Sequence, residues 1–318
     1  MADYRAGDVI RLTRNAAGMT QEELSDGICS VETLSRIENN RHKIKRETYR
    51  QLMEKMGRGV HDNCAVCMGK DMSLLDEYSL LEDALAKRDY HAAERYLVRI
   101  RDKISDFVVD RQYLKRIESL LDYAMGRIEA QEHMRRLGEA MEMTIPDYTC
   151  YLWGDKRDIV YPYREQEILI LMEIGNTYYD MRELDKTIWV YEMIIRSLDA
   201  GYMDVKSAEE LKLINLANLS GPLNKLGRYE EALEKAREGL EMAVSRGYAH
   251  ALLELLMQVA GNKLKLAKMM EDSKVRKQEL EESNRMMRQA YYIAAARKDK
   301  YNQKLINENL KYHFGEEM

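Results

Sequence analysis

Between Met19 and Arg41 the chain reads MTQEELSDGICSVETLSRIENNR, and few folds accommodate that string. Thr20 can cap a short helix whose first turn holds Gln21, Glu22 and Glu23, because a threonine hydroxyl accepts from the N–H groups that a helix start leaves over. Gly27 stops that helix and Ser30 caps the next. In the second helix, Val31 to Asn39, the positions of Leu34 and Ile37 share a buried face, which turns Val31, Glu32, Thr33 and Arg36 outward. Two short helices joined by a tight glycine-containing turn, the second with a polar outer face, make a helix-turn-helix. Such a unit offers the start of its second helix to base edges in a DNA major groove.

Apolar residues on both sides extend the pattern. Ile10, Leu12, Leu24, Ile28, Leu34, Ile37, Ile44, Tyr49, Leu52 and Met56 recur at helical or turn spacing, predicting helices near 6–17, 20–26, 30–39 and 46–57 around one small core. The net charge of the chain is −5, an odd value for a DNA binder, but its sign is uneven. Residues 1–60 carry eleven Lys/Arg against nine Asp/Glu, whereas residues 61–318 carry thirty-nine against forty-six. The segment RHKIKRETYR, 41–50, directly follows the second helix with five basic residues and one acid. Arg41 and Lys43 therefore stand where a phosphate-facing surface belongs.

The spelling QEELSDGICSVETLSRIEN resembles the Xre/Cro-type domain over about residues 7–58, and within it the Rgg and PlcR branch of the peptide-responsive regulators of Gram-positive bacteria. The resemblance implies a glutamine at the helix start, here Gln21, bonded to a phosphate, and base-facing residues at Val31, Glu32 and Thr33. Arg36, one turn on, reaches a base or a phosphate. Glu32 either accepts from cytosine N4 or only steadies the helix N-terminus; the sequence leaves both open. Asn39 and Asn40 occupy the helix end, and Asn40 stands where glycine is commonest, in a place that calls for a left-handed backbone.

From about residue 74 helix pairs repeat with a period of about 34–42 residues. The clearest are EYSLLEDALAKRDYHAAERYLVRI (77–100), ILILMEIGNTYYDMRELDKTIWVYEMIIRSL (168–198) and INLANLSGPLNKLGRYEEALEKAREGLEMA (214–243). Weaker units lie at about 110–145 and 250–314, and the 146–166 stretch reads as a longer loop between repeats. With small residues at Ala84, Ala93, Gly175 and Ala232, stacked pairs of this kind build a right-handed superhelix with a concave face. The phrase LGRYEEAL resembles the tetratricopeptide repeat. Repeat phase puts Glu173, Asn176, Tyr179, Asn218 and Gln258 on the inner helices. An inward amide can bond both N–H and C=O of an extended peptide, the job that asparagines have in the PlcR-like group; polar residues of ordinary repeat consensus account for the same letters. Gly221-Pro222 is expected to break its helix, either opening carbonyls to a ligand or acting as a passive kink.

Several classes are set aside. No apolar run approaches the roughly 18 residues that span a membrane, and the first residues lack a signal-peptide core. Four cysteines without a framework spacing suit a reducing cytoplasm. Cys64 and Cys67, with His61 nearby, have metal spacing but no second pair, and read as part of a connector. No phosphate loop or nucleophile triad is evident, so the sequence gives no catalytic residues, metal or cofactor. Three prolines and seventeen glycines complete an all-α reading: a helix-turn-helix domain at 1–60, a connector at 61–73 and a right-handed superhelix of tetratricopeptide-like pairs at 74–318. The expected partners are double-stranded DNA, a short signalling peptide and a second copy, with no membrane. The alternatives are a protein-docking platform in place of peptide control, or a repeat scaffold without DNA binding. Met286, Met287, Ala290, Ile293 and Ala294, along 276–314, are expected to form part of the dimer interface, with a capping helix as the other option.

Overall fold

The computed structural model describes residues 6–42, 44, 46–56, 73–101, 103–104, 108–316 and 318, and all regular structure among them is helical. Lys43, His61, Cys64, Cys67 and most of the expected connector lie outside the described residues. The N-terminal helices are α1 (Ala6–Ala16), α2 (Gln21–Ser25), α3 (Val31–Glu38) and α4 (Arg46–Lys55), close to the expected bounds. Ile10, Leu24, Leu34, Ile37 and Leu52 form their core, with Ile28, Cys29, Ile44, Tyr49 and Met56 packed around it. Leu12 is a correction: it is half-buried while Thr13 is buried. Thr13 follows Ile10 by three positions and shares its face, whereas Leu12 points about 200° away.

Caps decide where the short helices begin. Thr20 accepts from the Glu23 N–H while the Glu23 carboxylate takes the Thr20 N–H, a reciprocal box. Helix α1 crosses the end of α3 at Gly7, where a Cβ would lie 1.9 Å from the Ile37 carbonyl oxygen. Only glycine permits that approach.

The chain divides into two compact units, Met1–Met181 with Arg196–Ser207, and Arg182–Ile195 with Ala208–Met318. The body continues with α5 (Ser73–Ala86), α6 (Tyr90–Arg101), α7 (Val108–Ala124), α8 (Ala130–Glu142), the short α9 (Tyr148–Leu152), α10 (Glu165–Asp180) and α11 (Leu184–Asp199). It ends with α12 (Val205–Lys225), α13 (Tyr229–Arg246), α14 (Leu252–Met269), α15 (Ser273–Ala296) and α16 (Lys300–Phe314). Ala84, Ala93, Gly175 and Ala232 are buried as expected. One stop device recurs. After α3, α5, α7, α12 and α15 a single residue turns left-handed: Asn40, Arg88, Gly126, Gly227 and Lys298. Each time its N–H and the next N–H bond back to carbonyls of the closing turn, as Asn40 does to Ile37 and Arg41 to Arg36, the Schellman pattern.

Three expectations need revision. The loop at 146–166 contains α9 and a buried tyrosine cluster: the Tyr161 ring lies 4.7 Å from Tyr151 and 4.8 Å from Tyr163. Gly221-Pro222 does not break its helix; α12 runs through both residues, because Leu219 and Leu223, buried on either side, hold the segment against its neighbours. Met286, Met287, Ala290 and Ala294 are buried in the core of the second unit, with Ile293 packed against it, so this face is covered within the chain and is not a free dimer surface.

Candidate functional site

Helix α3 is fixed from within. Ser30 caps it, its Oγ accepting from the Thr33 N–H at 3.1 Å and lying 2.9 Å from the Thr33 hydroxyl. At the other end Glu38 is 1% exposed and is held from two helices. Arg14 of α1 donates Nε and Nη2 to its two oxygens at 2.6 and 3.0 Å, and Gln21 of α2 donates Nε2 at 2.6 Å. Arg14 also donates to the Met19 carbonyl at 2.8 Å. A two-pronged guanidinium–carboxylate contact adds direction as well as energy, so one buried acid locks three helices in register. Arg14 and Glu38 escaped the sequence reading. The available signal was an acid next to Ile37 and one turn past Leu34, a position whose neighbours are core.

The outer face of α3 is open. Val31 is 38% exposed, Glu32 and Arg36 are exposed and Thr33 is half-buried. Neither Glu32 nor Arg36 has an ion-pair partner among the described residues. Gln21, expected at a phosphate, gives its Nε2 to Glu38. Asn39 donates to the Ser35 carbonyl at 2.8 Å. Asn40 adopts φ +56° and donates to Asp8 at 2.8 Å, which ties the end of α3 to α1. Arg41 is exposed just beyond. The structure thus brings Ser30, Val31, Glu32, Thr33 and Arg36 together on one capped helix.

In the first unit the inner helices carry buried charge. Glu173 on α10 is 8% exposed and accepts from Arg116 Nη1 of α7 at 2.6 Å. Tyr113 of α7 donates to Glu82 of α5 at 2.8 Å, and its ring lies 5.5 Å from the Arg116 guanidinium carbon. Burial pushes the Glu173 carboxyl up to about 7, against the pull of Arg116. Its Oε2, the Arg116 Nε and both amide atoms of buried Gln166 have no hydrogen-bond partner among the described residues. Gln166 and Glu173 stand two turns apart on one face of α10; Asn176 is exposed and Tyr179 half-buried on the same helix. Glu173 is therefore engaged within the fold. Nearby His133, buried beside Ser119 at 2.7 Å, is pulled down to about 4 by burial and by Arg136.

In the second unit Asn218 on α12 and Gln258 on α14 are both half-buried. Between these helices Asn262 donates to Ser220 at 2.7 Å and accepts from Asn224. That network, like Arg116 and Gln166, falls at positions that helical phase assigns to the interior, where amino-acid type alone does not reveal a partner.

The decisive comparison is with the N-terminal sequence: residues 10–62 match the helix-turn-helix family. The head is a helix-turn-helix domain. No curated protein matches the chain. Among solved structures, PlcR of Bacillus thuringiensis in complex with the peptide PapR7 and DNA is 17% identical, with 93% of this chain and 99% of that chain covered and a TM-score of 0.56. The apo form of the same PlcR is 16% identical over 95% and 98%, at 0.56. ComR of S. thermophilus, in complex with DNA and its signalling peptide ComS, is 13% identical over 96% and 98%, at 0.51. At these identities the likeness is one of fold, and it extends from the helix-turn-helix domain through the helical pairs.

Proposed function

We propose that the chain is a sequence-specific DNA-binding regulator of transcription, controlled by a short peptide held on the inner helices of its body. The observation that carries the first half is α3: a helix capped by Ser30, locked by Glu38, with Val31, Glu32, Thr33 and Arg36 presented outward. Its N-terminal residues read base edges, Arg36 reaches a base or phosphate, and Arg41 and Lys43 meet the backbone. Support for the second half comes from the shared fold with PlcR bound to PapR7 and DNA and with ComR bound to DNA and ComS. Asn176, Tyr179, Asn218 and Gln258 are the side chains proposed to meet the peptide. Two copies act together, because one small head touches few bases and paired half-sites multiply the contacts. The protein works in the cytoplasm, where the DNA is; among the described residues no helix is long and apolar enough to cross a membrane.

The test starts from DNA sites selected out of a random duplex pool. Thr33→Ala with Arg36→Ala should lose roughly 1–3 kcal/mol for each base contact removed, with circular dichroism unchanged. Arg41→Ala should instead weaken all sequences alike and reduce the salt dependence. Undiminished affinity of the double variant for the selected site at several salt concentrations would sink the assignment of α3. Asn176→Ala and Asn218→Ala, made singly, should each weaken a peptide response and leave DNA binding without peptide alone.

A further inference from the structure

Helix α12 contains a proline that does not end it. Proline has no N–H, so the main-chain carbonyl of Asn218, four residues before Pro222, lacks its helical donor. The residue three beyond Asn218 is Gly221, which raises no side chain over that carbonyl. Ile214, Asn218, Gly221 and Lys225 follow one another at helical spacing and mark a single face. That face is uncovered within its unit: Ile214 is 38% exposed, Asn218 and Gly221 are half-buried and Lys225 is exposed. The neighbouring positions Leu213, Leu216, Leu219, Ser220 and Leu223 are all buried.

Helix α14 repeats the arrangement. Glu254, Gln258, Gly261 and Lys265 lie 40 residues after Ile214, Asn218, Gly221 and Lys225, position for position. The Asn262 bonds to Ser220 and Asn224, 42 and 38 residues apart, straddle that offset and hold the two helices side by side. A Cβ built on Gly261 would meet nothing within 4 Å, and its φ is not left-handed, so neither packing nor backbone requires a glycine there. Glycine and proline both weaken a helix interior. Gly221 and Gly261, at one level of two adjacent helices, keep the backbone bare on the face that carries the amides, and Pro222 is buried beside it.

We propose that the Asn218 carbonyl, opened by Gly221 and Pro222, accepts a main-chain N–H from an extended peptide that crosses α12 and α14, with Gln258 and the backbone at Gly261 as its next contact. Adjacent helices lie about 8–10 Å apart and an extended chain advances about 3.3 Å per residue, so Asn218 and Gln258 are met by peptide residues about three apart. This rests on the peptide reading above and adds to it a main-chain acceptor that no side-chain truncation removes.

Pro222→Ala tests it, because alanine restores the missing donor and closes the carbonyl. The probe is a random synthetic heptapeptide library selected on the full-length protein; the strongest binder is resynthesised and then N-methylated one position at a time. Pro222→Ala should raise Tm and weaken the heptapeptide about three- to tenfold, the effect of one hydrogen bond. One N-methyl position should weaken binding to the wild type by a similar factor and bring no further loss with Pro222→Ala. A merely structural proline would not produce that non-additivity. Equal affinity of Pro222→Ala and wild type, or N-methyl losses of the same size in both proteins, would overturn the inference while leaving peptide control standing. Recovery of no binding heptapeptide by the wild type would overturn peptide control itself, and this acceptor with it.

Discussion

The head and the inner helices of the body treat buried polarity in opposite ways. In the head, Glu38 has three donors on its two oxygens, and the buried Ser25 hydroxyl bonds the Glu22 carbonyl. Thr13 Oγ1 is the exception among the described residues. On the inner helices, Gln112, Arg116, Gln166, Glu173, Asn215 and Asn224 each keep at least one buried atom without a partner among the described residues. Buried polar groups are stabilising when fully paired and costly when half paired. A head built the first way is a rigid reader. A body built the second way has polar groups whose energy still depends on what approaches them.

The contrast breaks most easily at Glu38. Glu38→Ala should cost the head about 3–5 kcal/mol, the penalty for stranding one member of a buried pair, because Arg14 stays largely buried without its acceptor. Hydrogen exchange of α1–α4 amides in the full chain measures it; unchanged protection would mean that the lock is ornamental. Gly7→Ala comes next, at about 1–3 kcal/mol from forced overpacking, and it should loosen α1 against α3 while the exchange of α13 and α14 stays as it was.

The body is sharpened by pH. The folded chain holds a proton on Glu173 between its ordinary 4.5 and about 7, so this group makes stability fall as pH rises through that window. His133 acts the other way: held down at about 4 from 6.5, it costs stability as pH falls. The two slopes oppose each other in the wild type. Glu173→Gln removes one, so its Tm, followed from pH 4.5 to 7, should rise with pH relative to the wild type. Parallel curves would show that Arg116 keeps Glu173 ionised throughout. The smallest effect separates two left-handed turns. Lys298→Gly should gain about 0.5 kcal/mol by relieving backbone strain. Asn40→Gly should bring no such gain, since it forfeits the bond to Asp8; a gain at both sites would reduce Asn40 to a turn residue.

The head was legible because its instructions are local. Thr20, Ser30 and Asn40 start and stop helices through their own side chains and backbone, and each is in the expected place. The helix pairs were legible from periodicity. What escaped depends on partners far along the chain: Glu173 and Arg116 are 57 residues apart, and nothing around either names the other. The Met286 stripe shows a related limit. Periodicity marks a face to be covered but not what covers it, and here α14 and α16 belong to the same core as that stripe. Pro222 misled for a different reason, since packing on both sides outweighs the loss of one helical bond.

The matched strips on α12 and α14 also govern which changes of length the chain tolerates. One residue inserted between Ile214 and Asn218 would swing all that follows in α12 by about 100°, turning the amide and the bare carbonyl away from their counterparts on α14. Residues added at exposed Arg157 and Asp158, between α9 and the buried Tyr161, leave both strips as they are. Descendants of this chain are therefore free to drift in connector length, while the spacing inside α12 and α14 stays frozen and new ligand preferences arise by exchange of letters at fixed positions.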